Sequence, residues 1–134
     1  MLDHVSITVG NLARAERFYD AVFAALGVPK VGRDQRWAGY GLRADAGHPG
    51  RAYVSLVVAD PPPAPDRRHW AFKAPSRAAV DAFHSAGLAH GGADDGAPAV
   101  RTAYHPHYYA AFLVDPDGNR VEAVCHAAAG TPAA

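Results

Sequence analysis

Cysteine is nearly missing from this chain of 134 residues, and Cys125 is the only one. No disulfide can form within the chain, and zinc sites built on cysteine pairs are excluded. Charge of one sign is missing too: 13 Lys+Arg stand against 13 Asp+Glu. With no basic run, neither nucleic acid nor an anionic membrane surface is an expected partner. No apolar stretch is long enough to span a bilayer. The N-terminus lacks the basic and apolar regions of a secretory signal. A single thiol then makes a reducing cytoplasm the expected compartment. Cys125 itself reads as a small buried hydrophobe, since no base is visible beside it.

Histidine, by contrast, is plentiful, at positions 4, 48, 69, 84, 90, 105, 107 and 126. The length is that of one domain. Leu2 to Val9 alternates as a strand, with Val5, Ile7 and Val9 on one face and His4, Ser6 and Thr8 on the other. Asn11 is a helix N-cap, and Leu12, Ala15, Phe18, Val22 and Leu26 form an apolar stripe at helical spacing. Gly27 and Pro29 end that helix. Strand-like pieces follow at Val31 to Arg36, Ala38 to Arg43 and Tyr53 to Ala59, with a loop over Ala44 to Gly50. Asp60 to Asp66, with four prolines, is a stiff linker.

After the linker the pattern restarts. Arg68 to Ala74 is a strand with His69, Ala71 and Lys73 on one face, and Ser76 caps a helix that Gly87 to Gly92 ends. Val100 to Ala103, Tyr108 to Val114 and Asn119 to His126 are the expected remaining strands. The last two are joined by the turn Asp115-Pro116-Asp117-Gly118. A shift of 65 residues lays His4 on His69, Asn11 on Ser76, Phe18 on Phe83 and Ala21 on Ala86. The alternative is two unrelated strand–helix units of similar length. The repeat predicts an α+β fold of two βαβββ modules, at about 1–60 and 66–126, forming a curved sheet around a cavity in a single domain. Residues 127–134 are expected to be a flexible tail.

In each module the apolar face of a strand packs on its helix and the other face looks into the cavity. Alternation then sends His4, His69 and Glu122 to one side. Two neutral imidazoles and a carboxylate form a divalent-metal site with positions left open for water or substrate. The competing reading makes each histidine a hydrogen-bonded interior residue and pairs Glu122 with Arg120 or Arg101.

His4-Val-Ser-Ile-Thr-Val, the Phe18-Tyr19 pair in the first helix, His69 opening the second half and Asp115-Pro-Asp-Gly-Asn-Arg-Val-Glu122 together resemble the vicinal oxygen chelate superfamily. This group contains the glyoxalases, bleomycin-resistance proteins and extradiol dioxygenases. The resemblance runs from about Leu2 to His126. It implies paired βαβββ modules, a homodimer, and one divalent ion per chain (Zn, Fe, Mn or Ni) on His4, His69 and Glu122. Glyoxalase I enzymes have a fourth ligand in the last strand of the first module, and here that stretch offers only Ser55 or Val57. A three-ligand site resembles extradiol dioxygenases and fosfomycin-resistance transferases instead. No Arg or Lys follows Glu122, so the cations a phosphonate needs are few.

His105-Pro-His-Tyr-Tyr109 is the other unusual segment. If extended, it puts His105 and His107 on one face as acid–base groups, with the tyrosines, Tyr109 first among them, able to hydrogen-bond a substrate oxygen. The alternative is a surface loop packing at the cavity rim. His48, His84, His90 and His126 receive no role. The expected function is that of a metal-dependent enzyme of isomerase/lyase or dioxygenase type, acting on a small oxygenated molecule. The alternative is a metal-free protein that sequesters a drug, as bleomycin-resistance proteins do.

Overall fold

The computed structural model describes residues 1–132. The first module runs β1 (His4–Val9), α1 (Leu12–Ala25), β2 (Lys30–Arg33), β3 (Trp37–Gly41) and β4 (Tyr53–Val58). The second runs β5 (His69–Lys73), α2 (Arg77–Ala89), β6 (Ala93–Val100), β7 (Tyr109–Val114) and β8 (Arg120–Cys125). Each module is a four-stranded sheet, ordered β1-β4-β3-β2 in one and β5-β8-β7-β6 in the other. The first strand of each lies parallel to the last, and the remaining pairs are antiparallel. This is the expected α+β fold of two βαβββ units. Positions 133 and 134 of the expected tail fall outside the described residues.

Both helices start where the side chains dictate. The Asn11 side chain accepts a hydrogen bond from the Arg14 backbone N–H at 2.9 Å, and Ser76 Oγ accepts from Ala79 N–H at 3.1 Å. Each cap satisfies an amide that the first helical turn leaves free. Gly27, with φ of 71°, turns the chain out of α1. The buried stripe of α1 is Leu12, Ala15, Phe18, Tyr19, Val22 and Phe23. Each large apolar side chain of this kind contributes about 1.5–3 kcal/mol by leaving water.

The two helices pack against each other, so one apolar core draws on both modules. The second helix ends at Ala89, within the stretch Gly87 to Gly92 expected to end it, and Gly87 itself lies in its last turn. A Cβ there would stand 2.3 Å from Leu113 Cδ1 and 3.1 Å from Phe18 Cε2, so glycine serves close approach rather than termination. The strand expected at Val100 to Ala103 lies earlier, at Ala93–Val100. Its sequence is polar and rich in small residues, and two irregularities interrupt its pairing with β7. Alternation was therefore absent as a signal. The His105–Tyr109 segment is not extended up to Tyr108. Tyr104 N–H bonds Arg101 C=O and Tyr108 N–H bonds His105 C=O, making a pair of turns that takes His105 and His107 off any shared strand face.

The turn between β7 and β8 ties the modules together. Tyr19 O–H on α1 donates to Asp115 Oδ2 at 2.8 Å. Asp115 Oδ1 accepts from the backbone N–H groups of Asp117 and Asn119, at 2.9 and 2.8 Å. Asn119 Nδ2 donates to Thr8 C=O at 3.0 Å, and Asp117 Oδ1 accepts from Gly10 N–H at 3.0 Å and Arg14 Nη2 at 2.6 Å. Pro62 of the linker lies against Gly10 and Pro65 against Gly118, so the linker crosses the same seam.

Burial pushes the Asp115 carboxyl above the ordinary carboxylate range, against the pull of hydrogen bonds from Asn119 and Tyr19. A raised folded-state pKa means that the native protein holds this proton more tightly than the unfolded chain. Its contribution to stability is therefore greatest below the ordinary carboxylate range and is lost as pH rises through the folded value. Denaturant unfolding should show wild type gaining on Asp115→Asn as pH falls through the carboxylate range, and a flat difference would contradict the assignment. Asp115→Ala, which strands the buried Tyr19 hydroxyl, should cost about 2–4 kcal/mol at neutral pH.

Candidate metal and substrate site

Strand alternation works as expected on both sheets. Ile7 and Val9 are buried on the helix side of β1, with Val5 packed against the same core, while His4, Ser6 and Thr8 face the other way. On β8, Val121, Ala123 and Cys125 join the core, which leaves Arg120, Glu122 and Val124 on the open face. On β5, Trp70 and Phe72 pack on the core, so His69 shares the open face with Glu122.

His69 Nε2 lies 3.3 Å from Glu122 Oε2. Glu122 is only 1% exposed although it carries a carboxylate. Its other oxygen, Oε1, accepts a hydrogen bond from Tyr108 O–H at 2.5 Å. Burial raises the Tyr108 phenol above its usual range, and the hydrogen bond to Glu122 and that carboxylate's charge push it the same way. Tyr108 therefore stays a donor at neutral pH. Its ring is surrounded by Tyr104, His105 and His126, with centroids 4.7, 5.5 and 5.3 Å away.

His4 stands apart from this pair. Its ring stacks on Tyr53 at 5.0 Å, and Nδ1 lies 2.6 Å from Asp3 Oδ1. Among the described residues, no group of three His, Cys, Asp or Glu side chains converges on a point where one ion could be held. Within one chain, the structure brings together His69 and Glu122, with His4 elsewhere on the open side. The side chains of His4 and His69 are 50% and 53% exposed.

The register names the counterpart of Glu122 in the first module. Glu122 pairs with Ala71, two residues after His69, and Ser55 pairs with Ser6, two residues after His4. The counterpart is thus Ser55 and not Val57. Ser55 Oγ accepts from Trp37 Nε1 at 2.9 Å.

His105 Nδ1 accepts from the His107 N–H at 3.0 Å, so the ring proton sits on Nε2 and donates to His126 Nδ1 at 2.9 Å. The His107 side chain is exposed at the rim. Of the adjacent tyrosines it is Tyr108 that reaches Glu122. Tyr109 points to the helix side, where its O–H donates to Asp81 on α2 at 2.7 Å. Sequence reasoning singled out Tyr109 rather than Tyr108 and gave His126 no role. Strand parity would have found Tyr108, since in an extended register it falls on the opposite face from Tyr109. Nothing in the sequence pairs His126 with His105.

Two βαβββ modules, each a four-stranded sheet, with His69 and Glu122 together on an open face, define the class of protein by its architecture. The chain belongs to the glyoxalase/bleomycin resistance protein/dioxygenase superfamily, whose model matches residues 1–123. The crystal structure of a glyoxalase/bleomycin resistance protein from Albidiferax ferrireducens T118 is similar at a TM-score of 0.75 and 29% identity, covering 92% of this chain and 97% of that one. A glyoxalase/bleomycin resistance protein/dioxygenase family enzyme from Burkholderia phytofirmans PsJN shares the fold at a TM-score of 0.68 and 19% identity, covering 93% and 98%. A glyoxalase-related enzyme from Fulvimarina pelagi shares it at 0.70 and 17%, covering 92% and 86%. No curated protein matches the chain.

Removing the Tyr108 hydroxyl leaves a buried carboxylate with one partner. Tyr108→Phe should cost about 1–3 kcal/mol in denaturant unfolding. A cycle with Glu122→Gln should show a coupling of at least about 0.5 kcal/mol, and strict additivity would contradict the contact.

Proposed function

We propose that the chain is a divalent-metal-dependent enzyme acting on a small oxygenated molecule, by isomerase/lyase or dioxygenase chemistry. The observation that carries this reading is the 3.3 Å separation of His69 Nε2 and Glu122 Oε2 on adjacent strands. Two donors each about 2.0–2.2 Å from one ion stand about 3 Å apart when adjacent in its coordination shell. The pair therefore fits one ion without rearrangement. A bound Zn, Fe, Mn or Ni ion would supply Lewis acidity toward a substrate oxygen.

The third donor in this reading is His4 from a second copy of the chain. His4 and His69 each stand half-exposed on a sheet face that no helix covers. A homodimer with open faces apposed gives each site two imidazoles and one carboxylate. The chain's own residues then divide the work. Tyr108 fixes Glu122 by holding Oε1, which leaves Oε2 directed to the site. His105 and His126 form a short proton path beside Tyr108, and the exposed His107 exchanges with solvent. Tyr109, engaged by Asp81, yields its expected place to Tyr108.

The second reading is a metal-free drug-sequestering protein of bleomycin-resistance type. A mostly apolar cleft of about 660 Å³ between β1 and β5, lined in part by Phe23, Tyr40, Trp70 and Phe72 with His4 among its walls, favours it. No helix among the described residues is long and apolar enough to cross a membrane.

Elemental analysis should find about one divalent ion per chain, lost in His69→Ala. Equal metal content in wild type and the His4/His69/Glu122 triple alanine variant would overturn the metal reading. Light scattering should report a dimer at micromolar concentration, and monomer alone would count against the shared site. Co-refolding His4→Ala with His69→Ala should regenerate intact sites in the mixed dimer, whereas a site within one chain would stay unrestored.

Glyoxalase I activity should be weak or absent, because Ser55 replaces a carboxylate that could serve as base and its Oγ is already held by Trp37. A positioned base is worth about a hundred- to ten-thousandfold in rate. Efficient turnover of the methylglyoxal–glutathione hemithioacetal by metal-loaded protein, lost in Glu122→Ala, would refute this.

A further inference from the structure

Beside His69 lies a cavity of about 350 Å³ lined by His69, Asp95, Arg101, Tyr104, Phe112 and Arg120. Its two arginines differ in their electrostatic state. Arg120 is neutralised by Asp95, with Nε and Nη2 at 3.1 and 3.2 Å from the two carboxylate oxygens. Arg101 has no carboxylate within ion-pair distance among the described residues. Its guanidinium lies 5.3 Å from the Phe112 ring centroid, and Nη2 donates to Ala97 C=O at 2.6 Å. Its Nε is buried with no acceptor. An unpaired buried N–H is costly, which leaves this guanidinium incompletely satisfied.

The seat of Arg101 is built into the backbone. Gly96 stands opposite Phe112, and a Cβ there would approach Phe112 Cδ2 to 3.0 Å and Arg101 Nη2 to 3.1 Å. Any larger residue would crowd the guanidinium off the ring. Asp94, on the same strand, feels the Arg101 charge but makes no ion pair with it, being held by His84 at 2.8 Å and by the Gly96 N–H at 3.1 Å. The cavity therefore presents one guanidinium over an aromatic ring, without an ion-pair partner among the described residues, next to the imidazole of the candidate metal site.

We propose that this cavity recognises the carboxylate of a small monoanionic substrate, held by Arg101 with the body of the molecule against Tyr104 and Phe112. Charge selects the class. One free cation balances one negative charge, while a phosphate or phosphonate dianion would leave a second charge uncompensated near the buried Glu122. The planar fork of arginine also matches a carboxylate through paired N–H bonds. This deepens the proposed function by naming a substrate class, and it rests on that reading only for where the reacting end of the molecule would lie.

The test uses the full chain, stripped of metal by chelation, titrated calorimetrically with benzoate, benzamide and inorganic phosphate. The Arg101 Nε–H resonance is followed by NMR. Benzoate should bind and shift that resonance, with benzamide and phosphate each binding more weakly. Arg101→Gln should weaken benzoate by about tenfold or more, with Arg101→Lys recovering part of it. Asp95→Asn should tighten benzoate by freeing Arg120, and it decides the matter if Arg101→Gln does not fold. Absence of benzoate binding, equal binding of benzamide, preference for phosphate, or indifference to Arg101 or Asp95 would each overturn the proposal. Failure of the metal reading would appear separately, in the metal content, and would leave these titrations unchanged.

Discussion

A carboxylate at the seam between the two modules holds the molecule's layout in place. Asp115 has both oxygens engaged, one by the backbone of its own turn and the other by Tyr19 of the first helix and the Asn119 side chain. The same turn reaches Thr8 and Gly10 at the end of β1. This bonding fixes where β8 begins relative to the first module, and β8 carries Glu122. Buried polar groups of this sort are demanding because each unmade bond costs more than a made one contributes. The apolar helix–helix contact around Phe18 and Gly87 supplies the bulk of the burial, while the turn supplies the registration.

The internal repeat preserves backbone geometry and discards chemistry. Ser55 and Glu122 occupy equivalent places in the two sheets, but one is a neutral hydroxyl held by an indole and the other a buried carboxylate. A sheet face open on its far side cannot by itself bury a charge. The loop of residues 101–108 brings Tyr108 onto Glu122, with Tyr104, His105 and His126 packed around the Tyr108 ring. The first module has no such flap, and His4 remains in the open. That asymmetry leaves His69 and Glu122 together and His4 apart from them.

The superfamily contains enzymes and binding proteins on one scaffold, so membership states an architecture and a location for the site, and the chemistry has to come from side chains. Here those side chains are a carboxylate held by a phenol, an imidazole beside it, and a lone guanidinium on an aromatic ring. They describe a polar, oriented site next to a small cavity.

Much of this was legible in the sequence because it follows from local rules. Period-two alternation assigned His4, His69 and Glu122 to the open faces. Asn11 and Ser76 marked the helix starts, and the 65-residue shift revealed the two modules. Those signals depend only on neighbours along the chain. Tertiary structure decided what depends on distant residues. The placement of β6 was hidden by glycine and aspartate in a bulged strand. Gly87 was made a packing residue by Phe18 and Leu113 from other elements. Parity separates Tyr108 from Tyr109, but the contact of Tyr108 with Glu122 depends on turns whose hydrogen bonds no periodicity encodes. The separation of His4 from His69 and Glu122 was decided by the tertiary structure, because face assignment within a strand says nothing about where two sheets stand relative to each other.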